Sequence, residues 1–363
     1  MSDESDTDEG EQDEAEPAAD GGEPTPVGVK LGSTRTVVAL PQGNAVRTVD
    51  ALTCIATYED ALTGEEQVLY GEEAATEYPD RVRYMLRSGL PEDADNAALA
   101  ETFFEEFVRN NDVPEDSVVV YAIPTLDNEE GLDNLTAVIE NSPIGEATMR
   151  SYPESLCGSV TALGTGLDAI ERIFVGVNLG STNLEACAYR RGEQLSRFAT
   201  GAVTGNEVDR RIANYVEDET QGRVNIDLQT AREYKEDHGD LAEYEPFTDI
   251  VQQPGGGTHE FTIEDSVVDA LDEYVDEAVD EIANTFLPQV ANDHIKIYKR
   301  ALEAPVVLTG GMAEIPGLVE EFERRLGEEL QREVSCTAPN KPATAAARGA
   351  QRIAERFVEN GAY

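Results

Sequence analysis

The sequence predicts an α/β fold built from two domains of one kind that face each other across a cleft. Three observations predict it. VGVKLGST at 27–34 returns as VGVNLGST at 175–182, identical in seven of eight positions. A glycine-rich strand–turn–strand repeated after about 150 residues indicates duplication of one domain type. Short apolar runs alternate with segments whose apolar residues recur at helical spacing. Finally, 363 residues with 40% hydrophobic content exceed one small core and suit two domains.

Composition sets the first boundary. Residues 1–26 carry eleven acidic side chains, no basic ones and, apart from Met1, no large apolar residue. That segment is expected to be a disordered acidic tail. The run 27–31 then reads as a strand, Gly32-Ser33-Thr34 as a tight turn and 36–40 as the returning strand. Residues 51–58 are a further strand. Leu99, Phe103 and Phe107 recur at helical spacing over 96–108, and Asn110-Asn111 stops that helix. VVVYAI at 118–123, ended by Pro124, is continuously apolar, as suits a buried central strand. Helices follow at 130–140 and at 155–163, the second with side chains small enough for close packing on a sheet.

The second half repeats the first. Residues 174–179 form a strand, Gly180-Ser181-Thr182 a turn and 184–189 the returning strand. Helices are expected at 207–219 and 230–237, and a glycine-rich hairpin around Gly255-Gly256-Gly257. A long helix is expected over 263–286, with Val267, Leu271, Val275, Val279 and Ile282 on one stripe. A short buried strand at 305–309 runs into Gly310-Gly311, and helices at 316–330 and 341–358 close the chain.

Charge excludes several functions. Asp and Glu number 74 against 27 Lys and Arg, a formal net charge of −47. In molar salt the Debye length falls to about 3 Å and such self-repulsion is screened, so the composition reads as the surface of a protein from a high-salt cytoplasm. The chain has no basic stripe to release counterions from nucleic acid or to hold an anionic membrane. Its N-terminus does not resemble a signal peptide, and no apolar run approaches the roughly 18 residues of a membrane span. A cytoplasmic protein is therefore expected. Cys54, Cys157, Cys187 and Cys336 lie at least 30 residues apart, and His238, His259 and His294 form no ligand cluster with them. They read as reduced, small hydrophobes, and no metal site is expected.

The residues able to carry chemistry are few. Gly32, Ser33 and Thr34, with Gly180, Ser181 and Thr182, are the strongest candidates. A β- or γ-phosphate needs convergent N–H and O–H donors at close approach, which glycine permits and Ser and Thr supplement. One such motif is often an ordinary hairpin turn, whereas two facing each other form a clamp. Gly310 and Gly311 serve equally well as a strand-to-helix connection and as a backbone edge for a nucleotide. Glu207 and Lys235 lie on expected helices, where a solvated face is the usual explanation. Lys235 is nevertheless one of only five lysines, and a point charge on a flexible stem suits phosphate or ribose. No Ser–His–Asp constellation is present.

Taken in order, these motifs resemble the actin/Hsp70/MreB superfamily. MreB-type prokaryotic actins are nearest, with haloarchaeal actin homologues of the salactin or volactin type the natural home. VGVKLGSTRTVVAL at 27–40 looks like the first phosphate loop and FVGVNLGSTNLEACAY at 174–189 like the second. VVVYAIP at 118–124 and YPESLCG at 152–158 resemble the linking strand and the connecting helix that carries the water-activating residue. GNEVDRRI at 205–212 is similar to the segment whose Glu contacts ribose, which puts that role on Glu207. TAREYK at 230–235 resembles the helix whose acidic and Lys side chains flank adenosine. Lys235 is kept there, while the acidic position falls on Arg232. VVLTGGMAEIPG at 306–317 is similar to the adenosine motif and implies nucleotide contacts at Gly310, Gly311 and Met312. KPATAAARGA at 341–350 resembles the returning C-terminal helix.

The resemblance implies two ribonuclease-H-like domains, each with a mixed five-stranded sheet, and a nucleotide cleft between them. Domain I would comprise 27–172 plus 341–363, with a smaller lobe at 51–87. Domain II would comprise 173–340, with a smaller lobe at 204–263. It further implies a cytoskeletal protein that binds ATP, with GTP the alternative, and polymerises head to tail. Mg²⁺ would accompany the nucleotide, and adaptor proteins would be further partners. Two departures bear on turnover. Lys30 and Asn178 stand where the family carries Asp residues that organise Mg²⁺ and its waters. The water-activating Glu or Gln is expected near Ser151 or Tyr152, and the nearest carboxylate, Glu154, is displaced. Lys30, Asn178 and Glu154 are thus the candidate catalytic positions of a weakened or altered ATPase, with Lys30 expected to contact phosphate directly. The rival readings are a non-polymerising nucleotide switch or Hsp70-like scaffold, and a superfamily kinase.

Overall fold

The computed structural model describes residues 23–164, 170–252 and 258–363. The first half opens with β1 (Thr25–Leu31), β2 (Arg35–Gln42) and β3 (Ala45–Leu52), followed by β4 (Cys54–Glu59), β5 (Glu66–Tyr70), α1 (Gly71–Glu77) and β6 (Arg83–Tyr84). It continues through α2 (Ala94–Asn110), β7 (Ser117–Ile123), α3 (Glu129–Glu140), β8 (Thr148–Pro153) and α4 (Glu154–Ala162). The second half starts with β9 (Ile173–Leu179), β10 (Leu184–Arg190) and β11 (Glu193–Thr200). Next come α5 (Gly205–Glu219), α6 (Leu228–His238), β12 (Phe247–Gln252), β13 (Thr258–Ile263) and α7 (Ser266–Asp280). A π-helical turn (Glu281–Phe286) joins α7 to α8 (Leu287–Ala301), and β14 (Val306–Thr309), α9 (Leu318–Leu330), β15 (Cys336–Thr337) and α10 (Ala345–Glu359) complete the chain.

Two mixed five-stranded sheets carry the fold, in the orders β3-β2-β1-β7-β8 and β11-β10-β9-β14-β15. In each, the first three strands are an antiparallel meander and the last two are added in parallel. The duplication read from the octapeptide is therefore a duplication of topology. Strands β7, β9 and β14 are buried on both faces, which explains why they read as continuous apolar runs. Phe103 and Phe104 of α2 and Leu135 and Ile139 of α3 fill the core of the first sheet. Val267, Leu271 and Val275 of α7 join Phe322 and Leu326 of α9 in the core of the second.

The halves exchange helices. The helix α10 from the end of the chain lies on β1, and α4 from the first half lies on β9. Both crossings are close, and at Gly28 the helix comes to backbone distance of its strand. A Cβ on Gly28 would sit 2.1 Å from the Ala347 carbonyl oxygen, and one on Gly176 would sit 2.8 Å from Ser159 Oγ. These helices also pack on each other through Cys157, Val160, Ala346 and Ala350, so the sheets flank a shared helical layer.

Several elements depart from the sequence reading. Strand β1 begins at Thr25, inside the expected tail, and residues 1–22 of that tail lie outside the described residues. The strand expected at 51–58 is two strands broken at Thr53, whose hydroxyl pairs with that of Thr36 at 3.0 Å. The long helix starts after 263 because Ile263 ends β13, and it runs on past 286 into α8. Helix α9 begins at Leu318 because Gly317 takes a left-handed φ of 76°. Lys341 is left-handed too, and a 3₁₀ turn over Pro342–Thr344 precedes α10. Gly255, Gly256 and Gly257 lie outside the described residues, between strands β12 and β13, which pair as a hairpin. The strands β4, β5 and β6 form a separate three-stranded sheet.

Candidate nucleotide site

The repeated turns are built alike and meet. Each is closed by the same backbone bond, Gly32 N to Arg35 O at 3.1 Å and Gly180 N to Asn183 O at 2.9 Å. Their hydroxyls bond crosswise: Thr34 Oγ1 donates to Ser181 Oγ at 2.7 Å, and Thr182 Oγ1 donates to Ser33 Oγ at 3.0 Å. Exchanging the two repeats maps one bond onto the other, so the turns face each other about a local pseudo-twofold axis. Ser33 Oγ also accepts from Gly89 N at 2.7 Å. The second turn is held from behind by the start of α5, through Gly205 N to Gly180 O and Asn206 N to Ser181 O at 3.0 and 2.9 Å. Among the described residues, the amides of Ser33, Thr34, Ser181 and Thr182 donate to no other group. Two turns with uncommitted N–H groups supply the donors that an anion cradle needs.

Beside the turns opens a cavity of about 560 Å³, lined by Lys30, Gly32, Ser33 and Thr34 from one half and by Gly180, Ser181, Lys235, Gly311 and Met312 from the other. That volume suits a nucleotide-sized ligand. Ile315 and Pro316 give it an apolar wall, and Arg232 and Lys341 add charge. Three of the chain's five lysines thus line one cavity, in a protein whose positive charge is mostly Arg. Lys30 folds back over its own turn, with Nζ only 3.6 Å from where a Cβ on Gly32 would lie.

The other candidates separate into groups. Thr182 is held by its bond to Ser33. Asn178 is buried beneath the turn, with Oδ1 3.5 Å from Thr309 Oγ1. Gly310, at φ 92°, donates its N–H to Pro342 O at 3.3 Å and so presents Gly311 and Met312 to the cavity. Glu154 is the first residue of α4, whereas Ser151 and Tyr152 belong to β8, so the helix carries its carboxylate in its first turn. Glu207 is not brought to this cavity. Its carboxylate pairs with Arg210 at 2.8 Å and faces a larger, open depression of about 700 Å³ rimmed by acidic residues of α7 and α9. Lys235 lines the cavity, but its ammonium is spent on Asp209 at 2.5 Å and on Gly205 O at 3.1 Å.

Sequence reasoning missed Asp209 and Glu185. Asp209 is 1% exposed and is shared by Lys235 and, at 3.4 Å, Arg232, so this ion cluster fixes α6 against α5. Its neighbours Val208 and Ile212 are core residues, and a carboxylate beside that stripe was the available signal. Glu185 stands in β10 directly across from Asn178 and is fully buried. Oε2 accepts from Thr125 N at 2.9 Å and Oε1 from Asn183 Nδ2 at 2.5 Å. Burial, and then the charge of Glu154, push its carboxyl up to about 7, with Lys30 and Thr125 acting the other way. Lys30 itself pairs with Glu154 at 2.7 Å.

These groups do not fit a protein-ligated magnesium ion. An ammonium and a carboxamide occupy the two positions expected to be carboxylates, and among the described residues no three metal-binding side chains converge. Burial pushes the thiols of Cys54, Cys187 and Cys336 up to about 12, so they stay neutral and are poor nucleophiles. No helix among the described residues is long and apolar enough to cross a membrane.

Comparison with known proteins places this geometry. MreB5 of Spiroplasma citri bound to ADP superposes with a TM-score of 0.71 at 16% identity, over 93% of this chain and 98% of that one. The MamK double helical filament gives a TM-score of 0.72 at 18% identity, over 91% and 98%. The two-domain architecture is therefore the actin-like fold. Salactin of Halobacterium salinarum is 66% identical over all 363 residues, the full length of both chains. With the salactin family model also matching residues 24–358, the chain belongs to the salactin family of haloarchaeal actin homologues.

Proposed function

We propose that the chain binds ATP, with GTP the alternative, between its two turns and assembles head to tail into nucleotide-dependent filaments. The observation that carries this reading is the pair of equivalent turns, crosswise bonded and with uncommitted amides, at the edge of a nucleotide-sized cavity. Structures of the same fold support it, one with ADP bound and another a double helical filament. In this reading the amides and hydroxyls of Ser33, Thr34, Ser181 and Thr182 hold the phosphates. Met312 and Ile315 flank the nucleoside, and Lys30 contacts a phosphate oxygen. Lys235 acts by fixing the cavity wall through Asp209. Magnesium would arrive with the nucleotide, held by phosphate oxygens and water, and hydrolysis is slow. Residues 27–172 with 341–363 form one domain and 173–340 the other, and a non-closing contact between copies propagates the filament. Sedimentation in molar KCl tests this, with polymer expected to pellet with ATP and to stay in solution without it. Equal pelleting in both conditions refutes nucleotide control, and none in either refutes polymerisation.

A further inference from the structure

The two turns are braced from behind in different ways. Gly32 closes the first on Arg35 and Gly180 closes the second on Asn183, so Arg35 and Asn183 hold equivalent places. Arg35 reaches outward, pairing with Asp50 at 3.0 Å and Glu72 at 2.9 Å on the exposed side of its own half. Asn183 is buried and reaches inward, and its Nδ2 donates to Glu185 Oε1 at 2.5 Å. The other oxygen of Glu185 accepts from Thr125 N at 2.9 Å, just past the end of β7 in the opposite half. From there a path runs on to the first turn. Gly89 packs against Pro124, where a Cβ on it would lie 3.6 Å from Cγ, and its N–H donates to Ser33 Oγ at 2.7 Å. With the Thr182–Ser33 bond on the cavity side, these contacts form a closed ring through both halves.

The duplication supplies an internal control. Strands β1 and β2 set Lys30 opposite Val37, and β9 and β10 set Asn178 opposite Glu185 in the equivalent register. A strand pair of this kind thus holds with an apolar side chain at that place, and burying a carboxylate there costs desolvation. What the carboxylate adds is a pair of acceptors for two donors, one from each half. Exposed ion pairs such as those of Arg35 are screened in molar salt, where the Debye length is about 3 Å. Hydrogen bonds closed off from solvent are not. We propose that Glu185 is a positioning residue for the second turn: it ties Asn183 to the Thr125 backbone and so fixes the spacing of the two turns before a phosphate arrives. This rests on the reading of the cavity as a phosphate site. Donors aligned in advance need no reordering when the ligand binds, so loss of the brace appears as lost affinity.

Two variants separate the brace from packing. Glu185→Val introduces the side chain that the first repeat carries and removes both acceptors. Glu185→Gln keeps Oε1 for Thr125 N and can donate from Nε2 to Asn183 Oδ1 once that amide turns over. Calorimetric titration with ADP in molar KCl, at about pH 8.5 where the wild-type carboxyl is ionised, reads the affinity. It is expected to be about tenfold or more weaker in Glu185→Val and within about threefold of wild type in Glu185→Gln. Affinity unchanged in Glu185→Val, or lost equally in both variants, overturns the proposal. Hydrogen exchange of the free chain gives an arm that needs no nucleotide. The amides of Thr125 and Gly180 should exchange about tenfold or more faster in Glu185→Val, while those in the middle of β7 and β9 keep their rates. Unchanged exchange at both amides overturns the proposal, and so does an equal acceleration throughout both sheets. If Glu185→Val fails to fold, Asn183→Ala leaves the Glu185–Thr125 bond in place and should speed exchange at Gly180 and weaken ADP binding. No change at Gly180 then overturns the proposal. Failure of wild type to bind ADP, with the exchange pattern present, instead removes the nucleotide reading and leaves the brace standing.

Discussion

Gly28 and Gly176 hold equivalent places in the two repeats, yet the same substitution should cost very different amounts. On Gly28 a new Cβ would lie 2.1 Å from Ala347 O, 2.3 Å from Gln351 N and 2.9 Å from Gln351 Cα. All three are backbone atoms of α10, so the helix has to retreat by about 1 Å along its contact with β1. Overpacking of this kind typically costs 1–3 kcal/mol and occasionally more, and here it separates the helix that ties the halves together. On Gly176 the close atoms are Ser159 Oγ at 2.8 Å and Ser155 O at 3.2 Å. The first belongs to a side chain that can rotate away, giving up its 2.6 Å bond to Ser155 O, a loss of about 0.5–1.5 kcal/mol. Both changes recover about 0.4–1 kcal/mol from the less flexible unfolded chain. Gly28→Ala should therefore destabilise by about 2 kcal/mol or more and Gly176→Ala by about 1 kcal/mol or less. Denaturant unfolding in molar KCl measures both. Equal losses, or a larger one at Gly176, would refute the claim that α10 touches its sheet backbone to backbone while α4 does not.

Three further predictions concern charge. Asp209→Ala leaves Lys235 buried and unpaired and should cost about 3–5 kcal/mol of stability. Lys235→Met leaves Asp209 its contact with Arg232 and should cost less, with the double variant falling well short of the sum in the same unfolding assay. The carboxyl of Glu185 is raised in the folded chain by burial and then by Glu154, so the native state binds more protons than the unfolded one between about pH 4.5 and 7. Stability from that source is complete below the window and lost as pH rises through it. A Glu185→Gln variant should lack this slope, worth up to about 3 kcal/mol, in unfolding curves taken across the range. Lys30→Ala should weaken nucleotide binding by roughly 1–3 kcal/mol, as loss of a charge-assisted contact would. EDTA should weaken wild-type binding only modestly, and collapse of wild-type affinity in EDTA beside an indifferent Lys30→Ala would show an ordinary metal-dependent site.

The paired turns were legible because each sets its glycine and hydroxyl residues side by side in the chain, and contiguity survives in a linear reading. Strands β1, β2, β7, β9, β10 and β14 were legible for a related reason, since burial on both faces leaves an unbroken apolar run. Groups that act through partners distant in sequence were not. Asp209 and Lys235 lie on different helices, and nothing local to either shows that they meet. Glu207 shares its segment with Asp209, but helical periodicity turns the two residues to different sides. Only the backbone decides which carboxylate faces inward. Glu185 left a fainter trace, a lone charge inside LEACAY, a strand otherwise apolar or small on both faces. The smaller elements α1, β5 and β6 are only seven, five and two residues long, so neither helical nor alternating periodicity develops over their length.

The two halves share strand order, register and turn closure, so the residues at which they differ mark where one half does something the other does not. The turns themselves remain symmetric: Ser33 and Thr34 answer to Ser181 and Thr182, and the crosswise bonds respect that equivalence. Behind the turns the symmetry ends. Lys30 corresponds to Asn178 and Val37 to Glu185. The first repeat thus places a cation and an apolar residue where the second places an amide and a carboxylate. Across the duplication the cation of one half and the carboxylate of the other come under the influence of the same Glu154. The screening length in molar salt is only about 3 Å, so a solvated surface charge cannot reach such a cluster, and only residues in contact or sharing its buried pocket count. In a chain with so large an excess of acidic residues, charges that are few, buried and balanced among themselves can therefore keep a local balance of their own.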